Sequence, residues 1–190
     1  MSDRAEEIVD AAYVCFTRHG ARRTTMNDLA EQAGISRPAL YQYFRSKEDV
    51  FRALVERLLA DALKASEGAA AAGADPGERL AGILLAKLAL VLQIWRDSPA
   101  HAAELLGVDT RLSPDVLGRY DEAMLSLLTR TVQESYPGAD ARDAAEMLLA
   151  FTRGLEAGAS NPSDLPDRLR RGVDIFVAGF THLTSEKEQP

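Results

Sequence analysis

The chain has 190 residues, of which 46% are hydrophobic and 27% charged, and a formal net charge of −7. That balance belongs to a globular protein long enough to bury a real core; its acidity excludes a surface coated with nucleic acid, so any such contact must be confined to one patch. The single cysteine, Cys15, excludes an intrachain disulfide and a cysteine-based zinc site and fits a reducing cytoplasm.

Aromatic residues make up only 6%, alanine and leucine are abundant, and β-branched runs are scarce, which favours helix over strand. The expected class is all-α, with about nine helices. Residues 3–19 place Ile8, Ala12, Cys15 and Phe16 on one face and stop at Gly20. Thr25 caps a second helix, with Asp28 in the capping-box position; Met26, Leu29, Ala30 and Ala33 face inward and Gly34 ends it. Ser36 caps a short third helix holding Leu40 and Phe44. Ser46, with Asp49 beyond it, caps a fourth whose stripe is Val50, Leu54 and Leu58.

The Ala/Gly stretch 68–74 has no side chains able to pack and is expected as a loop or frayed helix end. Asp75-Pro76 starts a fifth helix, apolar almost all round. Its stretch 80–95 is broken by Lys87 and falls short of the roughly 20 residues that cross a bilayer, so a buried core helix is expected and no membrane partner. Lys87 is expected to snorkel to water, the alternative being an ion pair with an acidic ligand. Ser98-Pro99, Ser113-Pro114 and Asp140 start the sixth, seventh and eighth helices. A turn at 161–164 precedes a ninth helix to residue 183, and 185–190 read as a disordered tail. The first thirty residues mix charges throughout and lack the apolar run of a secretory signal, so a cytoplasmic location is expected.

Helices two and three are short and joined by Gly34-Ile35. Glycine supplies the left-handed exit, and Ile35 can plug the angle between the helices. This is the construction of a helix-turn-helix, whose second helix enters the DNA major groove. With Leu40 and Phe44 inward, Arg37, Ala39, Gln42 and Tyr43 can face outward. Arg37 suits guanine, Ala39 a thymine methyl and Gln42 adenine. The Tyr41 and Tyr43 hydroxyls suit phosphate oxygens; half-buried packing is the alternative for both, and Tyr43 is the better placed. Arg18, Arg22, Arg23, Arg37, Arg45 and Lys47 gather here against Asp28 and Glu31, a local patch able to supply salt-dependent affinity. A helical hairpin with a glycine is common as plain structure; three caps, an aromatic surface and a basic cluster together favour DNA.

Gly20, Thr24-Thr25-Met26, Leu29-Ala30, Ala33-Gly34-Ile35-Ser36, Leu40-Tyr41-Gln42-Tyr43-Phe44, Ser46-Lys47-Glu48 and Phe51 resemble the N-terminal signature of the tetracycline-repressor (TetR) family. The resemblance implies a helix-turn-helix DNA-binding domain over 1–47 and a helical ligand-binding and dimerisation domain over 48–184. It implies that Thr25, Tyr41, Tyr43 and Lys47 touch phosphates and that Asn27, Arg37, Ala39 and Gln42 approach bases. It further implies a homodimeric repressor on a palindromic double-stranded operator, released by an unknown small-molecule effector, with the fourth helix as lever and no cofactor.

The residues support two parts of this independently. Leu165, Leu169, Val173, Phe176, Phe180 and Leu183 form a helical stripe, and Leu148, Phe151 and Leu155 lie near the small residues Gly154, Ala157 and Gly158. Leu155, Gly158, Leu169, Val173, Phe176 and Phe180 are expected at a dimer interface, the alternative being an intrachain core. Trp95, His101, Tyr120, Met124, Met147, Phe151 and Arg153 offer apolar walls with a few polar points for a ligand, each alone also suiting core or surface. His19, His101 and His182 show no metal-ligand spacing, and no nucleophile elbow, P-loop or dinucleotide fingerprint occurs, so neither a metal site nor an enzyme is expected. The alternative to a regulator is a helical binding or assembly module whose helix-turn-helix does not bind DNA.

Overall fold

Most of the start signals in the sequence act as helix caps. Ser2 accepts the Ala5 N–H and opens α1 (Asp3–His19). Thr25 opens α2 (Met26–Gln32) and Ser36 opens α3 (Arg37–Leu40). Ser46 accepts the Asp49 N–H at 3.1 Å and opens α4 (Lys47–Ala72). Then come α5 (Pro76–Asp97), α6 (Ala102–Leu112), α7 (Pro114–Ser135) and α8 (Ala141–Ala157), the last capped by Asp140 through the Asp143 N–H at 3.1 Å. A 3-10 turn at Pro162–Asp164 leads into α9 (Leu165–Lys187). The computed structural model describes residues 2–73, 75–157 and 162–187 and, of these, the side chains outside 108–112, 162 and 181–187. Among the described residues all regular structure is helical, as expected.

The departures from expectation have local causes. α4 runs on through Gly68 to Ala72, where a loop or frayed end is expected. Alanine loses no side-chain entropy in a helix, and the small residues bring α4 and α5 close: a Cβ on Gly82 would lie 3.1 Å from that of Ala69. Ser98 does not cap a helix. Its hydroxyl donates to the Thr17 carbonyl at 2.6 Å and its own carbonyl takes the Ala102 N–H at 2.8 Å, so α6 begins later. α9 reaches Lys187, past the end expected at 183, while 188–190 lie outside the described residues. Lys87 does not reach out to water; it is buried and ion-paired with Glu156 at 2.7 Å.

The chain packs as two compact units. The first comprises Met1–Ala60 and Gln93–Gly118, the second Asp61–Leu92 and Arg119–Pro190. Ile8, Phe16, Leu29 and Leu40 are fully buried in the first, where Phe16 meets Phe51 edge-to-face at 5.2 Å. Each such side chain contributes about 1.5–3 kcal/mol of transfer free energy. In the second, Leu80, Ile83, Leu84 and Leu88 of α5 are buried with Met124 and Leu128 of α7, Leu148 of α8 and Leu165 of α9. α8 and α9 interlock at Gly172, where a Cβ would lie 2.1 Å from the Phe151 ring. Phe151 then reaches Phe176, with centroids 5.8 Å apart.

Candidate nucleic-acid interface

Within the first unit, α2 and α3 form a helix-turn-helix whose every joint is hydrogen-bonded. Thr25 and Asp28 complete a reciprocal capping box. The Thr25 hydroxyl accepts the Asp28 N–H at 3.3 Å and donates to Oδ2 at 2.8 Å, and the Thr25 N–H donates to the same oxygen at 2.8 Å. These bonds hold the Asp28 carboxyl below the usual carboxylate range. Thr25 is exposed, but its hydroxyl proton is already committed to Asp28.

At the other end of α2, the Ile35 N–H reaches the Ala30 carbonyl at 3.0 Å and the Gly34 N–H the Glu31 carbonyl at 3.1 Å. This is the Schellman exit, and it requires Gly34 at φ +65°. No atom lies within 4 Å of a Cβ built there, so only backbone strain opposes substitution. Gly34→Ala is expected to lower stability by about 1–2 kcal/mol, with Gly34→Asn costing less. A thermal melt of the two variants checks this; equal melting for Gly34→Ala and the parent would refute the strained exit.

Ser36 accepts the Ala39 N–H at 3.3 Å and opens α3. α3 is a single turn, but the chain keeps winding: the Gln42 N–H bonds Ala39 at 3.2 Å and the Tyr43 N–H bonds Leu40 at 3.0 Å. Leu40 and Phe44 anchor this segment from beneath. Arg37, Gln42, Tyr41 (42% exposed) and Tyr43 (44% exposed) stand outward, while Ala39 is half-buried. Arg37 lies on the Tyr41 ring, 5.6 Å from its centroid, with Nη2 donating to the hydroxyl at 3.4 Å. Asn27 is exposed at the start of α2, and Arg18, Arg22, Arg23 and Arg45 are exposed in the same unit.

Lys47 is built in rather than solvated. Its Nζ donates to the Ala21 carbonyl at 2.7 Å and the Arg22 carbonyl at 3.2 Å, tying the start of α4 to the turn between α1 and α2. One ammonium proton is left for an outside acceptor. Three further residues hold this turn, and none was legible as part of the DNA-binding site. Buried Thr24 donates to the Gly20 carbonyl at 2.7 Å. Glu104 of α6 accepts the Arg22 N–H at 2.8 Å. His101 fills the space beside Gly20, 3.2 Å from where a Cβ would be, against a backbone at φ +78°. Thr24 could have been read from its place beside the Thr25 cap; Glu104 left no sequence signal, and His101, expected among ligand residues, gave no sign of a place at this turn, since both arrive from far along the chain.

The expected ligand residues fall in both units. Half-buried Trp95 and His101 belong to the first unit; Tyr120, Met124, Met147, Phe151 and Arg153 belong to the second. Tyr120 and Met124 are buried, Phe151 sits in the Gly172 notch, Met147 is exposed, and Arg153 pairs with Asp121 at 2.9 Å. A cavity of about 30 Å³ lies in the first unit, lined by Tyr13, Phe16, Thr17, Phe51, Leu54, Val55, Leu58, Ile94 and Leu105. At its edge the Tyr13 hydroxyl donates to Asp97 at 2.5 Å, and burial and then this carboxylate push its pKa up to about 12.

The expected dimer residues are mostly covered by their own chain. Leu155, Leu169, Val173 and Phe180 are buried, Phe176 is half-buried, and Gly158 lies outside the described residues. The apolar residues facing outward on α8 are instead Met147, Ala150, Gly154 and Ala157, at helical spacing, and on α9 Ile175 is 74% exposed. Among the described residues no group of three metal-binding side chains occurs and no helix is long and apolar enough to cross a membrane.

An all-helical chain with a capped helix-turn-helix and a basic, aromatic outer face has the build of a helix-turn-helix regulator. Residues 8–54 match the family described as "Bacterial regulatory proteins, tetR family". The chain is 43% identical over 61 residues to the HTH-type transcriptional regulator YfiR of Bacillus subtilis, which is 32% of this chain and 30% of that protein; it spans 55% of a mycobacterial regulator at 33% identity. It also superposes on a TetR/AcrR-family transcriptional regulator from Thermobifida fusca, with TM-score 0.66, 25% identity, and 90% and 97% of the two chains covered. The SmeT–triclosan complex matches with TM-score 0.67, 25% identity, and 94% and 91% coverage. Over residues 8–54 the chain is similar to bacterial regulatory proteins of the tetR family, and over nine-tenths of its length its fold is similar to that of a TetR/AcrR-family regulator.

Proposed function

We propose that the protein is a DNA-binding transcription regulator, acting as a homodimeric repressor that an effector releases from a palindromic operator. One observation carries the DNA-binding part: Arg37, Gln42, Tyr41 and Tyr43 stand outward on a segment pinned from below by Leu40 and Phe44, amid exposed arginines. Arg37, Ala39, Gln42 and Asn27 approach bases; Tyr41, Tyr43 and Lys47 position the protein on phosphates. Thr25 reaches a phosphate only by turning its hydroxyl away from Asp28. Selection of bound duplexes from a random pool tests this, followed by binding in a salt series. A palindrome with half-sites about 34–36 Å apart and steep weakening with salt are expected. No retained complex on any duplex at low salt would sink the proposal and leave the assembly-module alternative.

Dimerisation is supported by the uncovered apolar faces of α8 and α9, Met147, Ala150, Gly154, Ala157 and Ile175. Wild-type protein is expected to run at twice the chain mass at micromolar concentration. Ile175→Asp, which lies outside the buried core, should weaken the dimer by about 2 kcal/mol or more, roughly thirtyfold. Light scattering checks both, and a monomeric wild type refutes the dimer. The effector reading draws on a family likeness, SmeT, whose structure is a complex with triclosan. An effector that prefers the DNA-incompetent state by about 1–3 kcal/mol suffices to release the operator, with α4, continuous from Lys47 to Ala72, as the lever.

A further inference from the structure

We propose that the second unit holds an effector site for a neutral, largely apolar molecule bearing a hydrogen-bond-accepting oxygen, read by the Tyr120 hydroxyl beside the Lys87–Glu156 pair. This rests on the reading of the chain as an effector-responsive regulator. Three helices meet at one level there. Lys87 of α5 donates to both carboxylate oxygens of Glu156 on α8, at 2.7 and 2.9 Å, and the two side chains are 9% and 17% exposed. Arg153, three residues before Glu156, pairs with Asp121 of α7 at 2.9 Å. That bond sets α7 against α8, and the residue before Asp121 is Tyr120.

Tyr120 is 7% exposed, and its hydroxyl has no partner in the protein. The buried Thr131 and Thr152 of α7 and α8 avoid this by donating to carbonyls one turn back, at 2.9 Å each. A tyrosine cannot do so, because its ring carries the hydroxyl away from its own backbone. Burial, then the charges of Glu156 and Asp121, raise its pKa, so the group stays a protonated donor. A buried donor left open in a helical core is where an outside acceptor gains most.

Charge decides the class of molecule. Lys87 and Glu156 balance each other, so an entering anion or cation would have to leave one of them buried and unpaired. A neutral molecule leaves the pair intact. The open valences are donors, the Tyr120 O–H and the third Lys87 N–H, so the complementary group is an acceptor such as a ketone oxygen. Leu84 and Leu88 of α5, Met124 of α7 and Leu155 of α8, near Lys87, Tyr120 and Glu156 along the same three helices, are buried.

The test uses four probes of one size with the full-length protein and no DNA: acetophenone, ethylbenzene, benzoate and benzylamine, titrated to millimolar concentration and followed by thermal shift. Acetophenone is expected to bind about tenfold tighter than ethylbenzene, the scale of one buried hydrogen bond, and the two charged probes not at all. Tyr120→Phe keeps the ring in place and is expected to melt no lower than the parent, to keep ethylbenzene binding, and to lose the tenfold preference. A preference that survives Tyr120→Phe, tighter binding of benzoate or benzylamine, or no shift with either neutral probe overturns the site. With DNA absent, none of these outcomes bears on operator binding. Failure of duplex selection would in turn leave this site standing.

Discussion

Replacing Arg37 by alanine is expected to cost about 1–3 kcal/mol of binding to the selected duplex, roughly ten- to a hundredfold, with little change on unrelated DNA. Arg37 sits at the start of α3 with its guanidinium on the Tyr41 ring, 5.6 Å from the centroid. A planar fork held in place before DNA arrives loses less rotamer freedom on forming a bidentate contact with guanine. Lys47→Ala should behave differently. Its one open N–H suits a phosphate, so all duplexes weaken alike and the salt slope falls by about one. It also releases the Ala21 and Arg22 carbonyls, so the melting temperature falls as well. Fluorescence anisotropy at several salt concentrations, on the selected duplex and a scrambled one, separates the two. Equal loss on both duplexes for Arg37→Ala would make it a backbone contact and end its role in base reading.

Lys87→Met is the substitution expected to harm the fold most. It leaves Glu156 in a mostly buried position without its partner, and breaking such a pair costs about 3–5 kcal/mol. Because the Glu156 side chain keeps 17% exposure, partial solvation places the loss near the lower end of that range. Removing both charges together, as Lys87→Met with Glu156→Leu, is expected to bring stability back to within about 1 kcal/mol of the parent, since neither desolvation penalty then remains. Urea unfolding of the parent, both single variants and the double variant closes the cycle. A loss below about 1 kcal/mol for Lys87→Met would mean a pair as weak as an ordinary surface one.

The aromatic notch shows why a stripe read from spacing is ambiguous. Leu169, Val173, Phe176 and Phe180 recur at helical spacing, and such spacing is the same whether the covering surface belongs to the chain itself or to a second copy. Gly172 admits the Phe151 ring and brings α8 onto that face of α9. Ile175 is then turned outward, although nothing in its sequence neighbourhood distinguishes it.

What this sequence determines by itself is local. The Ser2, Thr25, Ser36, Ser46 and Asp140 caps and the Gly34 exit all rest on bonds within a turn or two along the chain, so residue order is enough to read them. The family signature lies in that same stretch, residues 8–54. Only the tertiary structure decides what joins distant segments: Glu104 to the Arg22 amide at 2.8 Å, Lys47 to the turn before α2, Lys87 to Glu156, and the open hydroxyl of Tyr120. The pairings among these join groups tens of residues apart along the chain. The pattern of the chain can say that a lysine must find a partner when buried, and folding alone says which.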